Sequence, residues 1–185
     1  MILSNITKKV EMKACKNKIL FRIVKHYYTP IVIREIECAN VCKNDCVLYI
    51  GGGPCPVSAL LTHEFTGAKI TVLDNDKTCV CCSKKLINKK GLSDKIDVIY
   101  SDAETFDPSG YDVIHVASQI VPKDKVFESV WKSADDGCVI LTRVSRSSIL
   151  KPVLLKKIKD ETNKFKKVKH GLLKYVHSTA ICVKL

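Results

Sequence analysis

Hydrophobic and polar positions change period along this chain. From Cys46 onward, short β-rich apolar runs at 46–50, 69–73, 96–100, 112–117 and 138–142 alternate with stretches near 56–66, 76–90, 122–133 and 148–161, whose apolar residues recur at helical spacing. Such alternation predicts βαβ units and a parallel sheet. The runs Val47-Leu48-Tyr49-Ile50 and Val113-Ile114-His115-Val116 are apolar on successive positions, as in strands covered on both faces. The end of the chain, "KKVKHGLLKYVHSTAICVKL", offers two extended segments near 168–175 and 179–184. Their short connection permits only an antiparallel pair. Residues 1–45 read as helices ahead of the first strand, interrupted at "YYTP", where the Pro30 ring disfavours helix at Thr29. The expectation is an N-terminal helical extension over 1–45 and one α/β domain over 46–185. That domain is a Rossmann-like, doubly wound, mostly parallel seven-stranded sheet ending in an antiparallel hairpin.

Composition narrows the setting. With 46% hydrophobic and 27% charged residues over 185 positions, the chain has the balance of one globular domain. No apolar run approaches the roughly 18 residues that span a bilayer, and the lysine-bearing N-terminus lacks the apolar centre of an export signal. The expectation is a cytoplasmic protein with no membrane partner. The ten cysteines then read as reduced thiols. Neither the Cys38, Cys42, Cys46 interval nor the Cys79, Cys81, Cys82 cluster has a standard metal-ligand spacing, so no metal is expected. The formal charge of +12 leaves nucleic acid open as a partner, but aromatics are only 6% of residues and no stacking platform accompanies the late lysines. Those lysines (Lys151, Lys156, Lys157, Lys159, Lys164, Lys166, Lys167, Lys169 and Lys174) read as a solvated helix and its exit loop.

Chemistry concentrates at "VLYIGGGPCPVSALL", residues 47–61. A strand that runs into Gly51, Gly52 and Gly53 and turns straight into a helix lets a ligand approach backbone closely. Pro54 rigidifies the turn. Pro56 suits the first helical position, and Ser58 with the first-turn N–H groups can meet an anionic group. Pro56 stands where a dinucleotide loop has its third glycine, which points to a cofactor without a pyrophosphate. Asp74 closes the second strand in "ITVLDND", where a carboxylate can accept hydrogen bonds from both ribose hydroxyls. In "IYSDAETFD", Asp102 can accept from an adenine amino group, with Ala103 leaving backbone open beside the ring. Tyr49, Asn75 and Ala117 complete the cofactor-binding candidates.

Together these features resemble the class I methyltransferase fold that binds S-adenosylmethionine, over about residues 46–143. "LYIGGGPCPVSALL", "VLDND", "YDVIHVASQIVPKDKVFESV" and "GCVILTRVSRSSILKPVL" look more narrowly like segments of the nicotianamine synthase family. The shared features are an aromatic, Tyr49, in place of the usual acidic residue, a G-x-G-P-x-P loop, and Arg143 just after the fifth strand. The resemblance implies S-adenosylmethionine as donor substrate. Members of the narrower family transfer its aminobutyryl group and release methylthioadenosine. An amine nucleophile must lose a proton, which calls for a carboxylate; Glu35 and Glu37 are the candidates by position, with Tyr28 close by and Arg143 available to an acceptor carboxylate. His115 is a candidate base, but a histidine inside an apolar strand reads first as packing. "HVASQI" lacks the Asn/Asp-Pro-Pro-aromatic motif of base or glutamine N-methylation. About 45 residues precede the first strand, fewer than the helical region that family members carry there. The expected activity is therefore methyl transfer to a small-molecule acceptor, with aminobutyryl transfer as the alternative and a homodimer left open.

Overall fold

A computed structural model describes residues 2–145, 162, 165–171 and 176–184. Two helices, α1 (Ile2–Ala14) and α2 (Lys18–Ala39), precede the alternating core of β1 (Cys46–Ile50), α3 (Val57–Thr66), β2 (Lys69–Asp74), α4 (Lys77–Lys89), β3 (Ile96–Tyr100), β4 (Val113–Val116), α5 (Lys123–Ser133) and β5 (Val139–Ser145). Strands β6 (Phe165–Lys169) and β7 (Val176–Val183) follow. The seven strands lie in the order β3-β2-β1-β4-β5-β7-β6. The first five are parallel, and β7 joins β5 and β6 antiparallel. This is the expected doubly wound sheet with its terminal hairpin.

Alternation within the strands sorts side chains to two cores. Val47 and Tyr49 of β1, Ile70 and Val72 of β2, and Val113 of β4 pack beneath α2, α3 and α4. Leu48, Ile50, Ile114, Val116 and Ile140 face the opposite way, onto α5 through Val126, Phe127 and Val130. The strand order reverses between β1 and β4, so the loops after these two strands part there and leave a crevice at the carboxyl ends.

Three expectations need correction. Helix α2 runs unbroken through Pro30. Asn17 caps it, its side chain accepting from the N–H groups of Ile19 and Leu20, and the following Ile31, Val32, Glu35 and Ala39 are all buried. Tertiary burial of that downstream face outweighs the single backbone bond that proline removes. Pro56 sits one position earlier than expected, as the N-cap of α3. Lys166, Lys167 and Lys169 lie on the edge strand β6, not on a helix or its exit loop. Charges there discourage another chain from pairing with the open edge. The helix expected over 148–161, with Lys151, Lys156, Lys157 and Lys159, falls outside the described residues, as do Lys164 and Lys174. Among the described residues no helix is long and apolar enough to cross a membrane.

Ile114, at 0% exposure on the central strand, tests the packing. Ile114→Ala is expected to lower unfolding stability by about 2–5 kcal/mol in urea titration, with the slope of the transition unchanged.

Candidate functional site

The crevice at the strand reversal is a cleft of about 360 Å³. Thirteen residues singled out from the sequence line it: Tyr28, Tyr49, Gly51, Gly52, Gly53, Pro54, Ser58, Asp74, Asn75, Asp102, Ala103, Ala117 and Arg143. Chain order explains the convergence of all but Tyr28 on α2 and Arg143 on β5, because the loops after β1, β2, β3 and β4 all open at the same edge of a parallel sheet.

The glycine loop is shaped by what lies behind and above it. A Cβ at Gly52 would sit 2.1 Å from Cγ1 of Val72 on β2. Gly53 has a φ of +67°, and a Cβ there would come within 2.8 Å of Oε2 of Glu11. The turn is thus pressed against the sheet on one side and covered by α1 on the other. Asp74 ties it down: one carboxylate oxygen accepts from the Gly53 N–H at 2.7 Å and the other from the Asp76 N–H at 3.0 Å. Each oxygen keeps a lone pair for a further donor. Burial raises the Asp74 carboxyl above its ordinary value, against those two backbone hydrogen bonds. Asp102, more exposed, accepts from the Glu104 N–H at 2.9 Å.

Arg143 and Glu35 form the floor. Arg143 Nε and Nη2 donate to the two Glu35 carboxylate oxygens at 2.9 and 2.7 Å, and Nη1 donates to Ser58 Oγ at 2.9 Å. The guanidinium lies 5.3 Å from the centre of the Tyr28 ring. Thr179 of β7 donates a further bond of 2.6 Å to Glu35. Burial opposes ionisation of Glu35, but the Arg143 guanidinium overrides it and holds the carboxyl well below the usual range. Glu35 is therefore a fixed anion, unsuited to accept a proton near neutrality. Glu37 is exposed on the other side of α2. Two residues along a helix are about 200° apart, so only one of this pair can face the core.

The ring of His115 stacks on Tyr49 with centroids 4.7 Å apart, and its Nε2 lies 3.5 Å from Glu35 Oε2. Burial first, and Arg143 second, push the His115 value down, so the imidazole is neutral. The Tyr49 hydroxyl shares a 2.7 Å hydrogen bond with Thr62, and burial pushes it up to about 12.

Among the cleft residues that escaped the sequence reading, two charged ones lie on α1. Lys8 pairs with Asp76, the N-cap of α4. Glu11 projects over Gly53, and its carboxyl is pushed up to about 8 by burial, then by Cys15 and Asp74, with Arg143 pulling weakly the other way. A signal was present: Glu11 is the single acidic residue among the first 34 positions. With Asp74, Asp76, Asp102 and Glu104 it makes the cleft predominantly acidic in a chain of net charge +12.

Removing the charge of Glu35 would strand a buried guanidinium. Glu35→Gln is expected to cost about 3–5 kcal/mol in chemical denaturation at pH 7. The difference should shrink as pH falls below about 4.5, because a depressed carboxyl stabilises only above its unfolded value.

The nicotianamine synthase protein family model matches residues 32–178, most of the chain. Among solved structures, a glutamate-to-glutamine variant of MtNAS in complex with S-adenosylmethionine superposes with a TM-score of 0.77 at 20% identity, covering 98% of this chain and 74% of that one. MtNAS in complex with MTA and tNA gives 0.74 at 23% identity over 98% and 72%. A candidate S-adenosylmethionine-dependent methyltransferase of Methanococcus maripaludis gives 0.73 at 15% identity over 95% and 94%. A comparison with curated protein sequences gave no significant match. The likeness to solved structures establishes the class I methyltransferase fold, and the match to the family model goes further: the chain belongs to the nicotianamine synthase family of S-adenosylmethionine-dependent transferases.

Proposed function

We propose that the protein transfers the aminobutyryl group of S-adenosylmethionine to the amine of a small-molecule acceptor, with Glu11 as the general base. The half-buried carboxyl of Glu11, set over Gly53 in the cleft and raised to about 8, is the observation that carries this reading. Methyl transfer can proceed without a base and would give that carboxyl no task. Glu11 supplies a carboxylate from α1, ahead of the first strand.

The cleft suits the donor. Its acidic lining complements a sulfonium and an ammonium, the backbone at Gly52 admits close contact, and Asp74 retains lone pairs for ribose hydroxyls. Asp102 and Ala103 would hold the adenine end, and the first turn of α3 with Ser58 would face the donor carboxylate. When bound, the sulfonium supplies an activated carbon, and the carbon–sulfur bond breaks with its electron pair leaving on sulfur as methylthioadenosine. Glu11 takes the proton that the acceptor ammonium must lose to expose its lone pair. Arg143, pinned by Glu35, retains N–H groups for an acceptor carboxylate, and Tyr28 closes over the guanidinium.

Incubation with S-adenosylmethionine and amino-acid acceptors, followed by chromatography of the adenosine products, is expected to yield methylthioadenosine beyond spontaneous breakdown. Accumulation of S-adenosylhomocysteine would instead establish methyl transfer. Glu11→Gln should lower kcat/KM by about 10²-fold or more while S-adenosylmethionine affinity changes only a few-fold by calorimetry. In the wild type kcat/KM should rise with pH as Glu11 ionises near 8, and the variant should lose that rise. Asp74→Ala should weaken S-adenosylmethionine binding by about 1.5–3 kcal/mol.

Glu11 also predicts a stability signature. Its folded value lies above its unfolded one, so its contribution is present below about 4.5 and lost as pH rises toward 8. Glu11→Gln should therefore melt higher than the wild type at pH 9 and show no such gain at pH 4.

A further inference from the structure

Cys15 follows the last turn of α1 directly, with its backbone N–H donating to the Glu11 carbonyl at 3.1 Å. Its thiol donates to the Pro54 carbonyl at 2.9 Å, one residue before Cys55 in the glycine loop. Cys15 packs against the same core cluster to which Cys55 belongs, with its thiol aimed at the backbone of the residue before Cys55. Both thiols are free; Cys15 is half-buried and Cys55 is buried beneath it. Between them they join the helix that carries Glu11 to the loop that it covers.

We propose that Cys15 and Cys55 are a modification site, forming a reversible disulfide under peroxide that staples α1 onto the glycine loop. The Cys15 thiolate attacks a peroxide oxygen and becomes a sulfenic acid as the first water leaves. The Cys55 sulfur then displaces the hydroxyl, which departs as the second water. Two thiols lose two hydrogens and two electrons, and one hydrogen peroxide is reduced to two waters. The order of attack follows from the pair. Contact with Cys55 draws the Cys15 thiol below its ordinary value, against the effect of burial, while the same contact holds the Cys55 thiol well above its own. Thiolate character and access favour Cys15 as the site of first oxidation. The exposed Cys42 has its thiol bonded to Asp45 instead, and Cys81 is exposed on α4, so these two report non-selective oxidation.

The test uses the full chain treated with stoichiometric hydrogen peroxide, quenched by alkylation and mapped as peptides without reduction. A Cys15–Cys55 cross-linked peptide is expected as the main product, reversed by dithiothreitol and missing in Cys15→Ser. Amide hydrogen exchange across residues 8–14 should slow at least tenfold in the oxidised protein and return to its starting rate on reduction. Cross-links spread over Cys42 and Cys81, over-oxidation of Cys15 without a cross-link, or a cross-link that leaves α1 exchange unchanged would each overturn the proposal. These readouts need no transfer activity, so their outcome is separable from that of the Glu11 reading.

Discussion

The arrangement of the cleft depends on one buried ion pair. The Arg143 fork gathers Glu35 from α2, Ser58 from α3 and, through Glu35, Thr179 from β7. His170 donates or accepts with the same Thr179 hydroxyl at 2.7 Å, bringing the β6–β7 connection into the network. Two charges taken out of water are costly unless well partnered, and here the carboxylate takes two N–H groups of the guanidinium and the Thr179 hydroxyl. The pair fixes how α2 lies on the sheet, and so where Tyr28 stands over the cleft.

Environment gives the two glutamates of this site opposite characters. Glu35, though the more deeply enclosed, is held ionised by a guanidinium in direct contact. Glu11 has desolvation and neighbouring acidic groups acting in one direction and only a distant cation acting in the other. The pattern is that of sites in which neighbouring acids are driven apart in proton affinity, one serving as a structural counter-ion and the other carrying protons. It also fits the proposal of a base on α1, because Asp74 and Asp102 beside the loop are already engaged with backbone N–H groups.

Much of this was legible in the sequence, because parallel topology converts chain order into spatial order. With β1, β2, β3 and β4 in place, their following loops have to meet, and eleven of the thirteen candidates converge without any knowledge of side-chain packing. What could not be read were choices decided by tertiary contact. The persistence of α2 through Pro30 depends on burial of Ile31 and Val32, which local propensity does not register. Glu35 and Glu37 are equivalent in composition and separated only by helical phase. Glu11 lies far from the glycine loop in sequence, and its role arises from how α1 folds back over Gly53.

That placement separates two kinds of integrity. Glu11 belongs to a helix outside the sheet, whereas the cradle it covers is built from strand ends rooted in both cores. Opening α1 alone would expose the carboxyl to water and let it relax to ordinary acidity, with the sheet and the donor cradle still standing. On the proposed function, competence to bind and competence to react are then guarded by different free energies, and the second resides in a single helix.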